Sequence, residues 1–247
     1  MITLTPAGEI LYKQAKHVLA HYIDIEKRIA KITGTIKGGI TVGASTTIGN
    51  YVLPRIITDF KLRYPRIKIT MLVTNTKRIE ELLSSQLIDF ALVEGEISKT
   101  TLKAEPIISD ELVPIVSSFH PLARKKTVSI LDITREPFIL REEGSGTRQK
   151  IEEFFALYGI NTNNLYVTLT LGSTESIKKA VERGAGMSVV SKWAVRKEIQ
   201  DGKIHAFSLR EGNIVRDFSL IVFSRKNLPV ATEEFLLFVK KYPHEDL

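Results

Sequence analysis

From Ile40 onward the chain alternates, twice over, between short β-branched or apolar runs and amphipathic segments of helical period. Little besides an α/β architecture satisfies that pattern. Residues 40–44, 67–73 (IKITMLV) and 88–93 predict strands, with helices at 51–64 and 76–85 between them; Pro65 stops the first helix. Residues 106–118 (PIISDELVPIVSS) read as a strand broken at Asp110-Glu111. A second set follows: strand 137–140, helix 145–158, strand 165–171, helix 174–183, strand 187–190 and helix 192–200. Strands 204–209 and 218–223 and an amphipathic helix over 233–241 close the chain. Strands spaced by such helices predict βαβ units on parallel sheets, arranged as two small lobes. The final strand and helix are expected to return to the first lobe, whose sheet otherwise lacks a cover.

Ahead of this lies the longest periodic segment. Leu11, Ala15, Val18, Tyr22, Ile25, Ile29 and Ile32 are spaced 4, 3, 4, 3, 4, 3, which is a narrow heptad seam rather than the broad stripe of a helix lying on a domain. Thr5 and Pro6 supply an N-cap and a first-turn proline, although Gly8 stands where a capping box needs Glu. A helix over 7–33 is a rod of about 40 Å, and its seam calls for a partner helix, most simply the same helix of a second chain. Gly34, Gly38 and Gly39 end it as a hinge.

The chain has no cysteine, which excludes disulfides, thiol catalysis and Cys-based zinc sites. No apolar run approaches the ~18–20 residues of a membrane span, and the first residues, MITLTPAGEILYKQ, lack a signal-peptide pattern. The net charge of +7 and a pI near 9.4 suit anionic ligands or nucleic acid, and equally a lysine-rich surface.

Catalytic patterns are absent from this sequence. His17 and His21 share an i, i+4 face of the long helix without a third ligand nearby, and His120, His205 and His244 stand alone. The turn at Gly184-Ala185-Gly186 follows a helix and precedes a strand, the reverse of what a dinucleotide fingerprint requires. What recurs instead is a polar turn between a strand and a helix. Ser45-Thr46-Thr47, Asn75-Thr76, Gly144-Ser145-Gly146-Thr147-Arg148 and Ser173-Thr174 each follow a strand and open a helix, two in each lobe. Any one of them reads as ordinary Ser/Thr capping. Ligands of open parallel sheets bind off the carboxyl ends of strands, so the four together describe one binding cleft between the lobes. No base stands in these turns to activate a hydroxyl.

Several stretches, in order, resemble LysR-type transcriptional regulators: LTPAGEILYKQAKHVL (4–19), the Gly38-Gly39 entry to a strand, GASTTIGNYVLPRIITDFKLRYP, SFHPLA (118–123), EEGSGTR and VERGAGMSVVSKWAV. The resemblance runs from about residue 3 to 240. It implies an effector-binding module of two Rossmann-like lobes, of the type 2 periplasmic-binding-protein kind, preceded by a dimerising linker helix. Residues 1–37 would hold the end of a DNA-binding wing and the linker helix, 38–113 with 210–247 the first lobe, and 114–209 the second. The winged helix-turn-helix is expected to precede LTPAGE in the parent protein. Ser45, Thr46, Thr47, Asn75, Thr76, Gly144, Ser145, Gly146, Thr147, Arg148, Ser173 and Thr174 would bind the effector, with Thr46, Ser145 and Thr147 as the principal donors and Arg148 as the charge. The effector would be a small anion, an inorganic oxyanion or a compact carboxylate or phosphate metabolite. Leu11, Val18, Tyr22, Ile25, Ile29 and Ile32 would form the dimer seam. The wording of STTIGNYVLP and EEGSGTR is most similar to the branch that controls sulfur or carbon-fixation genes. Homodimers that can pair into tetramers, promoter DNA as the partner of the full-length protein, a cytoplasmic location and no cofactor complete the picture.

Two rival readings share the frame. A free-standing solute-binding protein would need a signal peptide or lipid anchor and would leave the long helix without purpose. An α/β enzyme would need a nucleophile, a base or a cofactor lysine at the cleft.

Overall fold

The computed structural model describes residues 3–223 and 228–243; residues 1–2, 224–227 and 244–247, His244 among them, lie outside the described residues. Helix α1 (Pro6–Thr33) is capped by Thr5, whose hydroxyl accepts from the Gly8 amide at 3.1 Å, and ends on Gly34 in the left-handed conformation. The first lobe follows as β1 (Gly38–Ser45), α2 (Thr46–Tyr51), α3 (Leu53–Arg63), β2 (Ile67–Thr74), α4 (Thr76–Ser84) and β3 (Phe90–Glu94). The helix expected over 51–64 is in fact two, because the chain breaks at Val52 and restarts with Pro54 in a first turn, where its missing N–H costs nothing. The first helix therefore begins at the hydroxyls themselves.

Strand β4 (Leu102–Ser117) leads into β5 (Thr127–Val128), α5 (Ile130–Thr134), β6 (Phe138–Arg141), α6 (Gly146–Ala156), β7 (Val167–Leu171), α7 (Thr174–Glu182), β8 (Ser188–Ser191), α8 (Lys192–Gln200), β9 (Ile204–Ala206) and β10 (Ser208–Leu209). The expected strand 204–209 is thus two short ones, with β9 on β4 and β10 on β5. The chain returns through β11 (Ile214–Phe223) and α9 (Val230–Lys241).

The sheet is mixed rather than parallel throughout. Its order is β2-β1-β3-β11-β4-β8, with β9 also on β4. β1 runs parallel to β2 and β3, whereas β11 is antiparallel to both β3 and β4. The parallel pair β6-β7 reaches β8 through a Phe138–Met187 bridge. Among the described residues the buried apolar side chains form four clusters. The two larger cores lie around Phe60, Phe90 and Phe235, where α9 packs on the sheet, and around Phe138, Phe155 and Val189.

Two strands therefore serve both cores. Asp110 and Glu111 do not break β4, because the Asp110 carboxylate finds partners on its neighbours. Arg216 of β11 donates to it from Nε at 2.8 Å, and Ser191 of β8 donates to its other oxygen at 2.7 Å. Arg216 also meets the Glu94 carboxylate at 2.9 Å and donates from Nη1 to the Thr147 hydroxyl at 2.9 Å. Glu94, Asp110 and Arg216 are all buried. The ladder between β4 and β11 slips at Ser219 opposite Pro106, where the missing proline N–H cannot hold a regular register.

One guanidinium thus faces two buried carboxylates. Burial raises the Asp110 pKa, and this desolvation outweighs the attraction of Arg216. An acid with a raised folded pKa contributes most to stability below its unfolded pKa, about 3.9. That contribution is lost as pH climbs through the higher folded value. Arg216→Met should therefore lower unfolding stability in urea by about 3–5 kcal/mol, whereas Asp110→Asn should cost far less and flatten the pH dependence above pH 4.

Helix α1 stands apart from both cores. Ala20, Ile23, Lys27 and Ala30 form its half-buried face toward the domain, and Lys27 pairs with Glu233 of α9 at 2.6 Å. Leu11, Val18, Tyr22, Ile25, Ile29 and Ile32 remain exposed, from 48% at Ile25 to 85% at Ile32.

Candidate functional site

The four polar turns meet in pairs where the lobes touch, and their side chains divide by what they bind. Asn75, Ser145 and Ser173 are caps: each accepts from a backbone amide of its own helix, at 3.0, 3.5 and 3.1 Å. Ser45 holds the same backbone position at α2, yet its hydroxyl makes no cap bond. Ser45 and Thr47 are each 1% exposed, and neither side-chain oxygen has a partner among the described residues. Leaving a buried hydroxyl unpaired costs about 1–3 kcal/mol. Capping therefore explains three of the turns and leaves the first to line something.

Between those two hydroxyls in sequence, Thr46 reaches across to the second lobe. Arg141, the last residue of β6, is 1% exposed and donates from Nη1 to the Thr46 hydroxyl at 3.0 Å and the Thr174 hydroxyl at 3.2 Å. Its Nε and Nη2 hold the two carboxylate oxygens of Glu142 at 2.7 and 2.8 Å. Arg141 is the cation at this centre, and sequence reasoning missed it in favour of Arg148. The signal was an arginine closing the buried apolar strand FILR, immediately before a turn.

The remaining residues lie around this centre. Arg148 turns along α6 to Glu152 at 2.7 Å and also donates to the Arg141 carbonyl at 3.4 Å. Thr76 donates to the Glu94 carbonyl at 2.8 Å. Thr147 belongs to the Arg216 cluster at the strand crossover, and a Cβ on Gly146 would lie 1.9 Å from the Glu94 carbonyl oxygen. Only glycine lets α6 approach β3 so closely. Across the lobes the Lys77 amide donates to the Gly144 carbonyl at 3.2 Å. Thr76, Lys77, Gly144, Ser145 and Arg148 line a cavity of about 520 Å³. The structure thus groups Thr46 and Thr174 at Arg141, with Ser45 and Thr47 beside Thr46, and sets Thr76, Gly144, Ser145 and Arg148 on an adjoining cavity.

A second contact joins the lobes. The Tyr51 phenol donates to Glu175 of α7, which also pairs with Lys178 at 2.8 Å. Lys178 is buried, bonds Glu198 and the Ala194 carbonyl, and sits 5.0 Å from the Tyr51 ring centroid. Burial first, then the bond to Glu175, raises the Tyr51 pKa. Burial opposes the Lys178 charge, but its bonds to Glu175 and Glu198 raise its pKa. Both groups hold their protons across the physiological range.

The histidines lie elsewhere. His17 and His21 are exposed on α1, His120 accepts from the Leu122 amide, and His205 contacts the Lys125 carbonyl. Among the described residues no group of three His, Cys, Asp or Glu could hold a metal ion.

Comparison with known proteins matches residues 33–243 to the LysR substrate binding domain. The chain belongs to the LysR family. It is 31% identical to the HTH-type transcriptional regulator CysL of Bacillus subtilis (strain 168), over 89% of this chain and 72% of that protein. It is 29% identical to the HTH-type transcriptional activator CmpR of Synechocystis sp. (strain PCC 6803), over 99% of this chain and 79% of that one. Among solved structures, the CcmR regulatory domain of Synechocystis PCC6803 in complex with 2-PG aligns with a TM-score of 0.76 and 30% identity, covering 83% of this chain and 96% of that chain. The two-lobed fold of this LysR-family chain is that of the family's effector-binding domain, of the type 2 periplasmic-binding-protein kind.

The orphan and the engaged hydroxyls should respond differently to the same change. Thr47→Val removes an unpaired oxygen and should be neutral or stabilising by up to about 1 kcal/mol. Thr174→Val strips an acceptor from buried Arg141 and should cost about 1–3 kcal/mol. Urea unfolding of the two variants measures both.

Proposed function

We propose that this chain is the sensing part of a LysR-type transcriptional regulator, which binds a small anionic metabolite between its lobes and relays the event through a dimer to DNA-binding heads. One observation carries the reading: a buried arginine, Arg141, reaches across the lobes to Thr46, whose sequence neighbours Ser45 and Thr47 carry buried hydroxyls without a partner among the described residues. An oxyanion there would satisfy Ser45 and Thr47 and complement the guanidinium. The kinship to CcmR, whose regulatory domain was solved with 2-PG, supports an anion of the compact carboxylate or phosphate class. An inorganic oxyanion fits the same donors.

In this reading Ser45, Thr46, Thr47, Arg141 and Thr174 hold the effector's charge. Asn75, Thr76, Gly144, Ser145, Gly146, Thr147, Arg148 and Ser173 shape the walls, the caps and the crossover behind them. The boundaries 38–113 with 210–247, and 114–209, remain our division into lobes. We read the chain as a binding protein rather than an enzyme, because its relatives are transcriptional regulators and its hydroxyls bind an arginine rather than a base. Promoter DNA would be the partner of the full-length protein, which places it in the cytoplasm. Among the described residues no helix is long and apolar enough to cross a membrane. Effector binding would shift the angle between lobes and so the packing of the dimer.

Calorimetric titration with sulfate, inorganic phosphate and 2-PG tests the site. At least one should bind at one per chain, and Arg141→Gln should weaken it about 100-fold, the loss expected for a charge-assisted pair of bonds. Binding by none of the three, or equally well by the variant, would sink the reading.

The dimer rests on the exposed α1 seam, since water-facing Leu11, Val18, Tyr22, Ile25, Ile29 and Ile32 form one continuous apolar line. Homodimers, with tetramers as a further step, should appear in sedimentation equilibrium. The double variant Tyr22→Glu, Ile29→Glu should shift the chain to monomer with its circular dichroism otherwise intact.

A further inference from the structure

Arg141 is held in a fork that an effector would also need. Its guanidinium presents five N–H donors in a fixed plane. Nη1 is spent on Thr46 and Thr174, while Nε and Nη2 go in parallel to the two oxygens of Glu142. That bidentate geometry is the one by which arginine recognises carboxylate, phosphate and sulfate groups. The arginine side chain is 1% exposed, but that of Glu142 keeps 25% of its surface, so the carboxylate lies on the outer side of the pair. Across this turn the Asn75 side chain of the first lobe lies beside Gly144. Although burial opposes its charge, Arg141 holds the Glu142 carboxyl below the ordinary glutamate range. Along the same turn stand Glu143, Lys77 of α4 and the Arg148–Glu152 pair of α6.

We propose that Glu142 is the resident counter-ion of the sensor: its carboxylate occupies the two parallel donors of Arg141 until an effector's oxyanion displaces it. The inference rests on the anion-sensor reading above and adds a regulatory step to it. Two consequences follow from the geometry. A fork of parallel N–H groups selects ligands with two oxygens on one atom, so sulfate, phosphate and carboxylates compete where chloride does not. The same guanidinium holds Thr46 and Thr174 from Nη1, so displacement also changes the charge at a contact that joins the lobes. Exchange of an internal anion for an external one thereby frees the lobes to change their angle. The apparent affinity is reduced by the fraction of molecules in which Glu142 occupies the fork.

Calorimetry with sulfate, a dianion throughout the range, distinguishes the possibilities on the whole chain. Glu142→Gln preserves shape but removes the competing charge, and should bind sulfate about tenfold more tightly than the wild type. Wild-type affinity should rise as pH falls from 7 toward the carboxylate range, where Glu142 takes up a proton, and Glu142→Gln should lose most of that rise. The wild-type pH series stands as a test even where the variant folds poorly. If Glu142→Gln binds no better than wild type while Arg141→Gln abolishes binding, the counter-ion role is overturned and the sensor reading survives. A flat wild-type pH series overturns the counter-ion role as well. If Arg141→Gln binds as well as the wild type, or sulfate, phosphate and 2-PG bind neither wild type nor Glu142→Gln, both fall together.

Discussion

Arg216 holds the middle of the molecule, where β4 and β11 pass between the two cores. It bonds Asp110 on one strand, Glu94 at the end of β3 and Thr147 at the start of α6. A guanidinium removed from water needs opposite charge and acceptors around it, and here they come from both lobes, although Nη2 meets its two carboxylates as ion pairs without a well-aligned hydrogen bond. The relative placement of the lobes is therefore tied to the satisfaction of one buried charge. Gly146 belongs to the same constraint, since α6 must come close enough to bring Thr147 to Arg216.

Arg141 repeats the principle where the first and last of the polar turns meet. There, too, a buried arginine collects hydroxyls from both lobes and a carboxylate from its own strand end. The difference lies in what surrounds it. The Arg216 cluster joins strands whose ladder continues on either side, whereas the residues flanking Thr46, a partner of Arg141, carry hydroxyls without a partner among the described residues. The first arrangement suits a fixed hinge and the second a place where partners are exchanged. The Tyr51–Glu175–Lys178 contact adds a polar link on the same interface, and polar links can be broken and remade where apolar packing would have to be torn open.

Much of this architecture was legible in the sequence. The alternation of strand and helix periods located nearly every element, and the heptad spacing identified a helix whose seam faces away from its own domain. The polar turns were found because each sits between an apolar run and a helical one. Misreadings arose where a distant partner decided the outcome. Asp110-Glu111 looked like a break in β4 because no local signal announces Arg216, 106 residues further on. Arg148, read as the binding charge because it stands at a helix start, lines the cavity while pairing with Glu152 one turn along, a partner that helical spacing already offered. Arg141 was passed over because an arginine ending an apolar run is unremarkable until the fold closes over it.

The sequence by itself determined the elements, the narrow apolar seam of α1 and the polar character of the four turns, because period, capping and turn chemistry act within a few residues. Tertiary structure alone decided which hydroxyls cap and which stay unpaired. It also decided which arginine is buried between the lobes, and that two strands join both cores in a mixed sheet. Burial and charge pairing depend on groups brought together from far apart in the chain, and only the closed fold sets those distances.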